Sequence, residues 1–205
     1  MYYSICVNMC NFKVFSPFLF FTIAFHLTGC SSQFSEPYEE PDMVDFNITE
    51  SGKVTSSSGV SSDQFFDGIA GYGWKCVGRR EILEDGSLAK EDWTAQYKDG
   101  GGSSYFFDES TATRFFWVDA FFARCYSISD YRFEDSTLFM ESNEWIRVLK
   151  LSGDQFSCIT MLAWKFLGKD HSIPVYGYCI YKRMTDEELN ECRSLYSIDY
   201  ASLNK

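Results

Sequence analysis

The chain has 205 residues, 29 acidic against 18 basic, for a net charge of −11 at neutral pH. That balance argues against nucleic-acid binding, which needs a basic patch, and against direct docking on anionic lipid. The sequence holds no Cys-x-x-Cys pair, no Gly-x-x-x-x-Gly-Lys-Ser/Thr loop and no Gly-x-Ser-x-Gly elbow, so no metal, no cofactor and no catalytic residue is expected.

The first element is Val14 to Phe25, an apolar stretch preceded by Lys13. It is shorter than the ~20 residues of a spanning helix and matches the apolar region of a secretory signal. It runs into Leu27-Thr28-Gly29-Cys30, which resembles the lipobox of bacterial lipoproteins. The resemblance implies cleavage before Cys30, lipidation of its thiol, and a mature protein tethered outside the cytoplasm. Residues 1–29 are then a lipoprotein signal peptide, and Met9 offers a second start. Lipoproteins of this type carry more than one acyl chain, enough for durable anchoring. Ser31 after the cysteine favours the outer membrane, on its periplasmic face or the cell surface.

Residues 30–66 read as a flexible tether rich in Ser, Glu, Asp, Pro and Gly. Such composition buries too little apolar surface to offset the entropy of ordering. The run Val44 to Ile48 interrupts it, as a docking strand or as more of the tether.

From residue 67 to 205 the pattern is that of one domain. Strands are expected at Trp74–Leu83, Trp93–Tyr97, Ser104–Phe107, and twice within Arg114–Ile128 around Asp119-Ala120. Further strands are expected at Tyr131–Phe133, Thr137–Met140, Trp145–Leu151, Phe156–Trp164 and Val175–Arg183. Turn residues separate them and no helical run intervenes, which argues for an all-β, antiparallel barrel of about eight strands. Trp145, Leu149 and Leu151 share one face of their strand, with Ile146 and Val148 on the other. Strands apolar on both faces need cover on both sides. Thr185 and Glu188 have capping-box spacing and open a short C-terminal helix, whose stripe Leu189, Cys192, Leu195 and Tyr196 can pack on the barrel wall.

Cys76, Cys125, Cys158, Cys179 and Cys192 remain after the signal and lipidated cysteine are set aside, an odd number. Cys158 and Cys179 can face each other across a hairpin near Gly168, as a bridge or as buried thiols. His171 stands in a loop beside Lys169 and Asp170, as a solvated surface residue.

Ile69-Ala70-Gly71-Tyr72-Gly73-Trp74-Lys75 and Tyr178-Cys179-Ile180-Tyr181-Lys182-Arg183 resemble the first and last barrel strands of the lipocalin-like lipoproteins of the Bacteroidota, within the calycin group. The resemblance implies that Arg183 packs over Trp74 and closes the barrel base. Trp117, Phe121, Trp145 and Trp164 would then line a ligand cavity in the mouth, or fill the interior. The function implied is a noncatalytic binding or interaction domain for a small apolar ligand, a glycan or a partner protein. A protease or lysozyme inhibitor is the alternative, acting through Asp99–Ser104 or Lys169–Pro174. A hydrolase using Asp119, Glu134 or Asp135 is a third reading.

Overall fold

The computed structural model describes residues 40–49, 53–94, 104–118, 123–141, 143–168, 171–196 and 198–199. Cys30, Asp119 and Phe121 lie outside the described residues, as do the tether before residue 40 and most of the Asp99–Ser104 loop. In chain order the elements are β1 (Asn47–Ile48), β2 (Val54–Thr55), α1 (Ser62–Gly68), β3 (Gly73–Ile82), β4 (Leu88–Asp92), β5 (Ser104–Phe107), β6 (Thr111–Val118) and β7 (Ala123–Glu134). They continue as β8 (Thr137–Met140), β9 (Trp145–Ser152), β10 (Gln155–Phe166), β11 (Ser172–Arg183), α2 (Asp186–Leu195) and β12 (Ile198–Asp199).

Strands β5 to β11 each pair antiparallel with the next, and β3 joins β5 to β11. The result is the expected closed antiparallel barrel of eight strands, with β4 extra and a short C-terminal helix. β4 pairs with the far half of β3 on the edge that β5 occupies nearer its start. The tight turns come from local chemistry. Asp135 and Ser136 both take positive φ (48° and 59°), the geometry that matches strand twist in a two-residue hairpin. Gly153 (φ 59°) turns β9 into β10. Of the strand expected at Trp93–Tyr97, Trp93 and Thr94 lie in a turn after β4, which ends at Asp92, and residues 95–97 lie outside the described residues. The Asp92 carboxylate accepts the amide of Thr94 at 2.8 Å and that of Arg79 at 3.2 Å, a side-chain turn that draws the backbone out of the ladder.

Bulges decide which side chains face inward. In β3 the pairing jumps from Gly78↔Ile180 to Cys76↔Tyr181, leaving Val77 extra. An extra residue breaks the period of two, so Trp74, Cys76 and then Arg79 point into the barrel. In β9 the pairing jumps from Lys150↔Ser157 to Val148↔Cys158, leaving Leu149 extra. Leu151 therefore joins Ile146 and Val148 in the interior while Leu149 packs outside. That corrects the expectation that Leu149 and Leu151 share a face. Leu162 is the extra residue of β10. Its side chain fills the space over Gly177, where a Cβ would lie 2.4 Å from Leu162 Cδ1.

Both faces of the wall are covered. Ser61-Ser62-Asp63-Gln64 forms a complete capping box on α1, and α1 carries Phe65 and Ile69 into the interior cluster at the barrel's base. Outside, Val44 (5% exposed) and Val54 (3%) pack on Leu149, Ile159, Tyr178, Ile180 and Ile82. Burying each such valine contributes about 1.5–3 kcal/mol. The tether expectation is thus corrected for the described part of 40–66: residues 43–49 and 53–58 are a strap over β9, β10, β11 and β3. Two backbone contacts add to it, Val44 N–H donating to Gly86 O at 2.8 Å and the antiparallel β1–β2 pair. On the opposite side α2 carries Tyr196 onto Phe115 (5.6 Å between rings) and Arg193 over Phe106 (4.7 Å). β12 extends β7 by a parallel pair at Cys125 and Tyr126.

The expected capping box of α2 is complete: Thr185 Oγ1 accepts the Glu188 amide at 3.2 Å, and Glu188 Oε2 accepts the Thr185 amide at 3.0 Å. Thr185→Ala is expected to cost about 1 kcal/mol, read as a lower urea midpoint with an unchanged slope.

Candidate functional site

The barrel has a sealed base and a small open mouth. At the base Trp74 is fully buried, and its indole N–H donates to Ile69 O at 2.9 Å. Arg183 lies directly opposite Trp74 in the β11–β3 ladder. Its guanidinium is 5.3 Å from the Trp74 ring and 3.8 Å from that of Tyr72, and Nη2 donates to Gly68 O at 2.9 Å. Phe65 of α1 stacks on Phe133 at 4.2 Å. Cation–π contact and stacking here join the first strand, the last strand and the plug.

Above the base the interior is filled. Phe156 stacks on Tyr181 at 5.0 Å and meets Trp74 edge-on at 4.8 Å, while Tyr105 stacks on Phe107 at 5.4 Å. Cys158 and Cys179 stand opposite each other across β10 and β11 as free thiols, with Cys76 beside them. The hydrogen bond to Cys158, followed by burial, pushes the Cys179 thiol up to about 12. Cys76 is raised further, by its hydrogen bond to Cys179 and by burial. Both stay protonated at neutral pH, which makes them poor nucleophiles.

The mouth holds a cavity of about 100 Å³ lined by Arg79, Tyr105, Arg114, Glu144, Thr160 and Tyr181, with Trp145, Met161 and Leu162 also at its boundary. β3 supplies Arg79 through the Val77 bulge. β6 supplies Arg114, on the same face as Ala112 and Phe116, whose ring lies 5.1 Å from the guanidinium. Glu144, just before β9, forms an ion pair with Arg114. Burial opposes the Arg114 charge, but Tyr105 and Glu144 more than offset it. Burial pushes the Tyr105 phenol up to about 12 and raises Tyr181 well above its ordinary value. At neutral pH the cavity therefore presents two cations, one carboxylate and neutral hydroxyl donors.

Of the four expected lining rings, the structure brings one to this place. Trp145 lies at the mouth and against Tyr176, 5.9 Å between rings. Trp117 is half-buried and shares the outer face of β6 with Phe115, so it is corrected to a wall residue. Trp164 is 52% exposed on the projecting end of β10 and is corrected to a surface residue. Among the described residues no His, Cys, Asp and Glu group has metal-site geometry. Glu134 and Asp135 are exposed at the β7–β8 turn. Sequence reasoning missed Arg79, Arg114 and Glu144. For Arg114 the signal was available, since Ala112, Arg114 and Phe116 alternate on one face of a strand.

A buried cation sits outside the barrel. Arg147, 8% exposed, donates from Nη2 to Ser56 O at 3.1 Å and Ser58 O at 3.3 Å, and from Nη1 to Asp135 O. It fastens the strap to the β7–β8 turn.

Comparison with family models, curated proteins and solved structures finds no match for the chain.

Proposed function

We propose that the chain is a noncatalytic binding domain, lipid-anchored at Cys30 and displayed from the outer membrane, with its ligand site in the barrel mouth. The observation that carries this reading is the asymmetry of the barrel. One end is sealed by Trp74, Arg183 and α1, and the other opens on a cavity where charged groups from three separate stretches of chain converge. Polar groups that converge in a concavity, with apolar side chains (Trp145, Met161, Leu162) beside them, are the features that orient a small molecule in its site. The filled interior below the cavity supports a ligand that inserts one end, not a whole apolar molecule. Native mass spectrometry of protein from its own envelope tests the reading: a bound small molecule released on denaturation is expected, and a consistently empty protein would remove it.

A protein partner is the second reading, favoured by the exposed Trp164 (52%), Phe166 (76%) and Leu167 (55%) at the projecting end of β10. Exposed apolar clusters of this kind mark contact surfaces. This is where an inhibitor of a protease or lysozyme would meet its target, and inhibition assays with Phe166→Ser as control separate the two readings.

The anchor makes its own prediction. Cys30→Ala is expected to remove acyl mass and shift the protein from the membrane fraction to the soluble envelope fraction. Fractionation and intact-mass measurement check both.

A further inference from the structure

We infer that the mouth cavity is a subsite for a carboxylate group, and that Glu144 is its resident competitor. This rests on the binding-domain reading and names the ligand class of the same site.

Two guanidinium groups and one carboxylate line a single cavity, so the lining is cationic within a chain of net charge −11. Removing cations from water is costly unless an anion offsets the loss. The site already holds a carboxylate, that of Glu144 on Arg114, and the guanidinium fork matches that planar group in geometry. The Glu144 side chain is 36% exposed, so it can exchange its place on Arg114 for water when another carboxylate arrives. Arg79 enters from a different strand, placed there by the Val77 bulge. It gives an incoming carboxylate a second cation. Tyr105 and Tyr181 add hydroxyl donors, while the Thr160 hydroxyl is already donated to Trp145 O at 3.0 Å. A cavity of about 100 Å³ admits the head of a molecule and leaves its body at the mouth, beside Trp145, Met161 and Leu162. The ligand class that fits is a carboxylic acid with a short apolar tail.

Calorimetric titration of the full chain in non-ionic detergent tests this, with sodium hexanoate, 1-hexanol and sodium phosphate as probes at constant ionic strength. Saturable binding of hexanoate alone is expected. Glu144→Gln is expected to bind hexanoate about tenfold more tightly, because a competing charge is removed, and Arg79→Gln about tenfold more weakly. Thermal melts without ligand establish that each variant is folded. The half-exposed setting of Glu144 keeps its variant informative even where Arg79→Gln unfolds. Equal hexanoate affinity in Glu144→Gln and the parent would overturn the inference. Binding of phosphate or hexanol in place of hexanoate would overturn it too, while leaving the binding-domain reading standing. Failure of all three probes, together with an empty protein by native mass spectrometry, would remove both.

Discussion

Replacing Trp74 by alanine is expected to lower stability by about 3–5 kcal/mol, the usual loss for a fully buried aromatic ring. The reason is the number of elements that meet on this side chain. Its indole holds the end of α1 through Ile69 O, its ring meets Phe156 edge-on, and Arg183 faces it from the closing strand. Alanine leaves a cavity at the base, removes the donor from a buried carbonyl, and strips the guanidinium of one of its two aromatic neighbours. Trp74→Phe separates these effects. It keeps most of the ring and loses the N–H, for an expected cost nearer 1–3 kcal/mol. Urea unfolding followed by far-ultraviolet circular dichroism measures both. Equal midpoints for the parent and the alanine variant would show that the base is not where the barrel is closed.

The second large effect is expected at Arg147. Alanine there removes the guanidinium donor from the carbonyls of Ser56, Ser58 and Asp135, the last of which keeps only the Thr137 hydroxyl at 3.3 Å, at about 2–4 kcal/mol, given that hydrogen bonds to charged groups contribute more than neutral ones. The loss should be local first. The strap, residues 43–49 and 53–58, is held by Arg147, by the Val44 and Val54 side chains, and by an exposed Lys53–Asp135 pair at 3.0 Å that contributes little. Protease nicking and amide exchange should therefore rise between residues 43 and 58 before the barrel unfolds. Exchange that rises uniformly across all strands would show the strap and barrel to be one cooperative unit. Arg147→Lys keeps the charge without the fork and should recover only part of the loss.

The strand order, the closed barrel and the C-terminal helix follow from patterns visible in the sequence: short apolar runs, turn residues at Asp135-Ser136 and Gly153, and the Thr185–Glu188 spacing. The contact of Trp74 with Arg183 at the base was legible through the resemblance of the two strand motifs that carry them, not through strand spacing alone. The mouth was less so. Arg79 and Arg80 are adjacent and chemically alike, and strict alternation would turn Arg80 inward with Trp74 and Cys76. Only the extra residue at Val77 reverses that, and a bulge has no reliable signature in one sequence. The same shift at Leu149 misassigned Leu151. The strap was half legible: Val44 opens the run to Ile48 that could be read as a docking strand, whereas Val54 is an isolated apolar residue in a polar segment. What receives them is an outer apolar cluster and Arg147, a residue 103 positions beyond Val44 and close to the strap only once the barrel is built. The α1 capping box, Ser61 with Gln64, was present as a plain Ser-x-x-Gln and could have been read.

Beyond Thr160 and Gly177, β10 and β11 pair only with each other among the described residues. An open two-stranded ribbon bearing Trp164, Phe166 and Leu167 would ordinarily invite a copy of itself to add strand by strand. Pro174 sits opposite Trp164 in this ribbon and has no amide hydrogen to offer a neighbour. Contact through the rings thus stays available while growth of a continuous intermolecular sheet is interrupted, a safeguard against polymerisation at high local concentration.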